Sequence, residues 1–141
     1  MKNPDKTAGK MCRTAIEYAK SFGIQLDYSE KSITSIEEIL DYYHNDLKTA
    51  NENNQGPTEN QIWSMAVIWG SYIGELIKRY FPCSFKWVIE DVFGDGESLH
   101  LKDSDNAHIF PIDKVYKRLV NGKVDSIVSF YDAMKINQNG K

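Results

Sequence analysis

The stretch from Thr58 to Phe81, TENQIWSMAVIWGSYIGELIKRYF, constrains the fold more than any other part of the chain. Between Ile62 and Ile77 eleven of sixteen residues are apolar and two more are glycines, which leaves Ser64, Ser71 and Glu75 as the polar positions. A helix that is apolar around most of its circumference must be enclosed by the rest of its domain. The run falls short of the ~20 apolar residues that a membrane span needs, and it contains Glu75. It therefore reads as the central helix of a globular core. Thr58 and Gln61 stand at capping-box spacing and mark its start. Gly70 and Gly74 form a small-x-x-x-small pair, which predicts close approach of a packed neighbour.

The flanking sequence supplies helices on one side and strands on the other. Ala8, Met11, Cys12, Ala15, Ala19 and Phe22 recur at helical spacing over 7–22, with Gly23 as the stop. Ile33, Ile36, Leu40, Tyr43, Leu47 and Ala50 do the same over 30–50. Ser29 is a candidate cap there, and Ser35 with Glu38 is an alternative box further in. The polar loop 51–57 then predicts that this helix and the central one pack as an antiparallel pair. After Pro82 the period falls to two: Phe85, Trp87 and Ile89 alternate with Lys86, Val88 and Glu90. Turns at 94–96 and 103–106 separate this strand from 98–102 and 107–111, a three-stranded antiparallel meander. A short helix over 114–120 stops at Asn121-Gly122, and Asp125 or Ser126 caps a last helix that buries Ile127, Val128, Phe130, Tyr131 and Met134. The expectation is one α+β domain over 1–141, with a central buried helix packed by flanking helices and the meander. Its ordered core is placed at about 7–134, and 135–141 is read as a disordered tail.

The candidate chemistry is sparse. His44, His100 and His108 show no metal-ligand spacing, and His100 and His108 alternate with apolar neighbours, as solvent-facing strand residues do. Asp103-Ser-Asp105 opens like a calcium loop, but His108 stands where the sharp-turn glycine belongs and Lys114 where the bidentate glutamate belongs. The reading therefore assigns no metal and no cofactor. Ser64, Ser71, Glu75, Lys78 and Arg79 form a narrow polar line on the central helix, with Glu75 and Arg79 spaced as an i, i+4 pair. Glu75 is a general-acid candidate if the line opens into a cleft. GSYIG at 70–74 lies within a helix and is no nucleophile elbow, and no phosphate-binding glycine loop occurs. Cys12 and Cys83 read as reduced thiols of a cytoplasmic protein, with an isolated disulfide left open. The first thirteen residues, MKNPDKTAGKMCR, contain no signal-peptide core.

Charge is distributed unevenly around a net −3. Glu90, Asp91, Asp95, Glu97, Asp103 and Asp105 face only Lys102 within 90–105. Glu37, Glu38, Asp41 and Asp46 face only Lys48 within 35–50, whereas 114–141 is basic. The modest overall charge gives no global attraction for nucleic acid or an anionic membrane. The segments LDYS (26–29), GSYIGE (70–75), KVYKRLVNG (114–122) and DSIVSFY (125–131), in that order, resemble a widespread bacterial family of small α+β proteins, a domain of unknown function. The resemblance spans about 26–134 and implies a cytoplasmic bacterial protein with this fold; it assigns no catalytic residue. The functional expectation is a small non-catalytic protein-binding protein, such as an immunity protein that neutralises a toxin. Glu37, Glu38, Asp41, Glu90, Asp91, Asp95 and Glu97 would face the partner, because acidic patches steer and orient basic ones. The alternative is a small enzyme or ligand-binding domain with a pocket between the central helix and the sheet, lined by Glu75, His100 and His108.

Overall fold

A computed structural model describes residues 2–139, and it is an α+β fold of five helices and one three-stranded sheet. Helix α1 spans Pro4–Lys20, with Asn3 as its cap: the Asn3 side chain accepts the Lys6 N–H at 3.1 Å. The start lies before the expected position because Pro4 is favoured in a first turn, where its missing N–H costs nothing. Helix α2 spans Ser32–Glu52 and begins without a side-chain cap. Neither Ser29 nor Ser35 performs that role. Ser29 instead offers its carbonyl to the Ser32 hydroxyl at 2.6 Å. Helix α3, Glu59–Tyr80, carries the expected capping box: Thr58 Oγ1 accepts the Gln61 N–H, and the Gln61 side chain accepts the Thr58 N–H.

Strands β1 (Phe85–Glu90), β2 (Ser98–Asp103) and β3 (His108–Ile109) form an antiparallel meander in the order β1-β2-β3. Trp87 stands opposite Leu101, Val88 opposite His100, and Lys102 opposite both Lys86 and His108. Directly opposed residues share a face, and faces alternate along a strand. Phe85, Trp87, Leu101 and Ile109 therefore line the inner face, and Val88, Glu90, His100, Lys102 and His108 the outer one. Helix α4 (Pro111–Asn121) starts on a proline at once after β3. A 3₁₀ turn, Gly122–Asp125, leads to α5 (Ile127–Asn139), where Ser126 Oγ accepts the Ser129 N–H at 3.2 Å and so caps the helix. Helix α5 runs to Asn139, over most of the segment expected to be a disordered tail; residues 140 and 141 lie outside the described residues.

Helix α3 is enclosed as its composition requires. Trp69, Tyr72, Ile73, Leu76 and Ile77 are buried, and α1, α4 and β1 pack around the helix. Its glycines explain how closely. A methyl group on Gly70 would meet the Ile112 backbone at 2.6 Å, and one on Gly74 would meet the Trp87 indole at 2.2 Å. The bare positions admit α4 and the sheet against the same helix. The expected α2–α3 hairpin takes a different form, because α4 packs against both helices and serves as their common neighbour. Helix α2 meets α3 mainly through side chains, with Ser32 Oγ 2.8 Å from the Tyr72 hydroxyl and the Tyr43 ring against Trp69.

Candidate functional site

The outer face of the sheet and the loop that joins β1 to β2 bring the chemically active side chains together. His100 is fully buried, so the sequence-based picture of a solvent-facing strand histidine is corrected. Its ring is covered by Phe110, at 4.6 Å between centroids, and by His108, at 4.9 Å. The Nδ1 atom of His100 lies 2.9 Å from the Ser98 carbonyl, which can only accept, so Nδ1 carries the proton. The Nε2 atom is thereby left with a lone pair, and it receives His108 Nδ1–H at 2.9 Å. Burial holds the His100 imidazole below the usual histidine range; the Ser98 bond opposes the shift and the neighbouring His108 adds to it. The neutral tautomer with an acceptor Nε2 is what this enclosure selects.

Glu90, the last residue of β1, completes the group. One ligand atom from each of Glu90, His100 and His108 lies within 4.8 Å of the other two. Lys102 sits beside them on the outer face and binds the Glu90 carboxylate at 3.0 and 3.1 Å. Asp113, in the first turn of α4, is held above the usual carboxylate range by burial, and its charge acts on His100. A shallow groove of about 400 Å³ runs past His108, Phe93, Phe110, Asp113, Lys117 and Met134.

Beyond Glu90 the chain enters an exposed loop, 91–97. Asp91 shapes it by accepting the Gly94 N–H at 2.7 Å, and Gly94 and Gly96 take positive φ values of 83° and 115°. Phe93 stands out at its tip with 72% of its surface exposed, its ring 5.5 Å from Phe110. Asp95 is exposed, and Glu97 pairs with Lys2. The adjoining Asp103 is a turn-former: its Oδ1 accepts the Asp105 and Ala107 N–H groups, both at 2.9 Å.

The other sequence candidates fall elsewhere. Glu75 accepts the Trp87 indole N–H at 2.8 Å and pairs with Lys78 at 3.4 Å, while Arg79 lies 3.8 Å over the Tyr28 ring. The expected Glu75–Arg79 pair is absent because Trp87 and Lys78 already hold the carboxylate. The polar line of α3 also breaks up: Ser64 is exposed, Ser71 is fully buried, and Glu75 faces the inner side of the sheet through Trp87. Glu75 and the two histidines thus lie on opposite faces and do not share one pocket. His44 remains apart from both, with Nδ1 on the Leu119 carbonyl at 2.7 Å. Within the acidic helix α2, Glu38 is exposed, but Glu37 and Asp41 turn to the fully buried Arg118, at 2.7 and 2.8 Å. Glu37 also accepts the Ser126 hydroxyl.

Phe93, Phe110, Lys102 and Arg118 were not among the site residues that the sequence suggested. For Phe93 a signal was present, a large apolar residue inside an otherwise polar turn sequence, VFGDGE. For Arg118 none was, because its partners lie about eighty residues away. No family model, no curated protein and no solved structure matches this chain. Among the described residues no helix is long and apolar enough to cross a membrane.

Proposed function

We propose that this chain is a non-catalytic protein-binding module whose β1–β2 hairpin docks a basic surface of its partner, as an immunity protein docks the toxin that it blocks. The observation that carries the reading is Phe93, exposed at the tip of a loop whose charged residues are all acidic. Phe93 with Phe110 behind it makes an apolar patch rather than a lone side chain, and aromatic anchors ringed by polar groups carry much of the binding energy of an interface. Asp91, Asp95 and Glu97 fall within the loop, and their field would steer a basic partner onto the anchor. Glu97 shares its charge with Lys2, and Glu90 is held by Lys102 and so is withdrawn from the interface. Glu38 is exposed on α2 in a groove that Arg118 and Lys123 also line, and it lies outside the proposed interface. Glu37 and Asp41 are withdrawn from the proposed interface, since Arg118 occupies them.

The test is affinity capture from source-cell lysate with three immobilised full-length proteins. These are the wild type, Phe93→Ser, and the combined Asp91→Asn/Asp95→Asn/Glu97→Gln variant. The expected result is one stoichiometric protein held by the wild type, weakened by salt and lost from both variants. Co-expression of that protein with either variant should then stop growth that the wild type permits. Equal retention by all three proteins, or no retained protein, would contradict the proposal.

A further inference from the structure

We propose that Glu90, His100 and His108 form a binding site for a single zinc-like divalent ion that staples the three strands at the base of the acidic hairpin. The inference goes beyond partner docking and does not depend on it.

The argument begins with the donors. Two imidazoles and one carboxylate are the ligand types that zinc and neighbouring first-row ions take, and such a set leaves one position open for water or a substrate atom. Each donor comes from a different strand: Glu90 from β1, His100 from β2 and His108 from β3. Sheet register converts three positions with no local motif into one cluster, its candidate ligand atoms within 4.8 Å of one another. Helical or loop sites show themselves by short spacing, whereas a cross-strand site does not.

Orientation is the second observation. A ligating histidine usually donates its other ring N–H to a carbonyl or carboxylate, which fixes the tautomer and aims the lone pair. His100 does this already, with Nδ1–H on the Ser98 carbonyl and Nε2 directed at the cluster. Its ring is fully enclosed, so the aim is held by packing rather than by solvent-exposed rotation. His108 Nδ1 lies 2.9 Å from His100 Nε2. Two nitrogens on a tetrahedral zinc at ~2.0–2.1 Å stand about 3.3 Å apart. The rings need to open by only a few tenths of an ångström. His108 would shift its proton from Nδ1 to Nε2, so both rings stay neutral and no proton is lost.

Lys102 is the opposing element. Its ammonium now holds Glu90, and ion binding takes that carboxylate from it. The pair is partly exposed, so the exchange gives up only a weak, solvent-screened interaction. The charge of Asp113 acts on His100 and favours positive charge there.

The experiment is a titration of tag-free full-length protein with zinc alone, followed by cobalt substitution. His100 is too buried to be the first choice for mutation, so His108→Gln and Glu90→Gln are compared with the wild type, after urea unfolding of the metal-free proteins has shown both to be folded. The wild type should bind one equivalent and melt at a higher temperature with zinc. Cobalt should give tetrahedral visible bands without a thiolate charge-transfer band, which excludes Cys12 and Cys83 as ligands. Each variant should lose more affinity than the roughly 10–100-fold that removal of an outer partner costs. Absence of binding by the wild type, or binding that both variants retain, would overturn the proposal.

Discussion

Tyr72 and Ser71 are adjacent on α3 and both fully buried, yet their hydroxyls have opposite consequences. The Tyr72 hydroxyl accepts the Tyr28 N–H at 2.9 Å and meets Ser32 Oγ at 2.8 Å. Tyr28 itself has φ of 61°, a left-handed conformation, and stacks on the Tyr72 ring. Tyr72→Phe strands the Tyr28 N–H and should cost about 1–3 kcal/mol by urea unfolding. Among the described residues the Ser71 hydroxyl has no hydrogen-bond partner, so Ser71→Ala should be neutral or stabilising by up to about 1 kcal/mol. A loss for Ser71→Ala comparable to that for Tyr72→Phe would contradict the assignment. Gly70 tests a different force. Its added methyl meets the Ile112 backbone, which cannot swing aside as a side chain end can. Gly70→Ala should therefore lower stability by about 1–3 kcal/mol or more through overpacking, read as a lower midpoint in the same assay.

At the scale of elements, part of the acidic α2 and of the basic C-terminal segment is taken up by ion pairs within the chain. Arg118 on α4 ties Glu37 and Asp41 of α2, Lys114 pairs with Asp125, and Lys135 of α5 pairs with Glu30. The Arg118 hydrogen bond holds Asp41 below the usual carboxylate range, and the Lys114 bond does the same for Asp125. Burial works against ionisation of Glu30, but Lys135 and Tyr131 outweigh it and keep its carboxyl low too. A depressed folded-state value means stability that is present above the unfolded value, near pH ~4, and lost as pH falls through the folded value. The urea midpoint should begin to fall below about pH 6.5, where unfolding lets the buried neutral His100 take up a proton, and fall more steeply below about 4 as the paired carboxylates are protonated. Asp41→Asn should lower it at pH 7 and flatten the acid decline; a variant curve that merely runs parallel to the wild type would contradict the Arg118 account. Patterning explains how much of this was legible. The period of 3.6 exposed α1, α2 and α3, and the switch to a period of two exposed the meander, because each element buries one regular face. Helix bounds moved where a proline or an uncapped start replaced the expected cap. The ion pairs were not legible, since charge segregation along a sequence looks the same whether it will face a partner or another helix of its own chain.

For the whole molecule, the segments LDYS, GSYIGE, KVYKRLVNG and DSIVSFY meet as internal fastenings. Tyr28 of LDYS touches Tyr72 of GSYIGE, Arg118 of KVYKRLVNG holds α2, and Tyr131 of DSIVSFY donates to Glu30 at 2.7 Å. They account for the architecture and leave the outer sheet face and the 91–97 loop as the region whose side chains exceed structural need. His100 and His108 were legible as residues of neighbouring strands, but their convergence with Glu90 depended on register, and the burial of His100 on Phe110. The central claim is that Phe93 anchors a partner while the acids around it guide the approach. The most direct measurement is the dissociation constant of the captured partner, taken at low and high salt for the wild type and Phe93→Ser. An anchor worth about 2 kcal/mol predicts roughly 30-fold weaker binding by Phe93→Ser with its salt dependence intact. Binding by Phe93→Ser within about twofold of the wild type, an energy of roughly 0.4 kcal/mol, would contradict it.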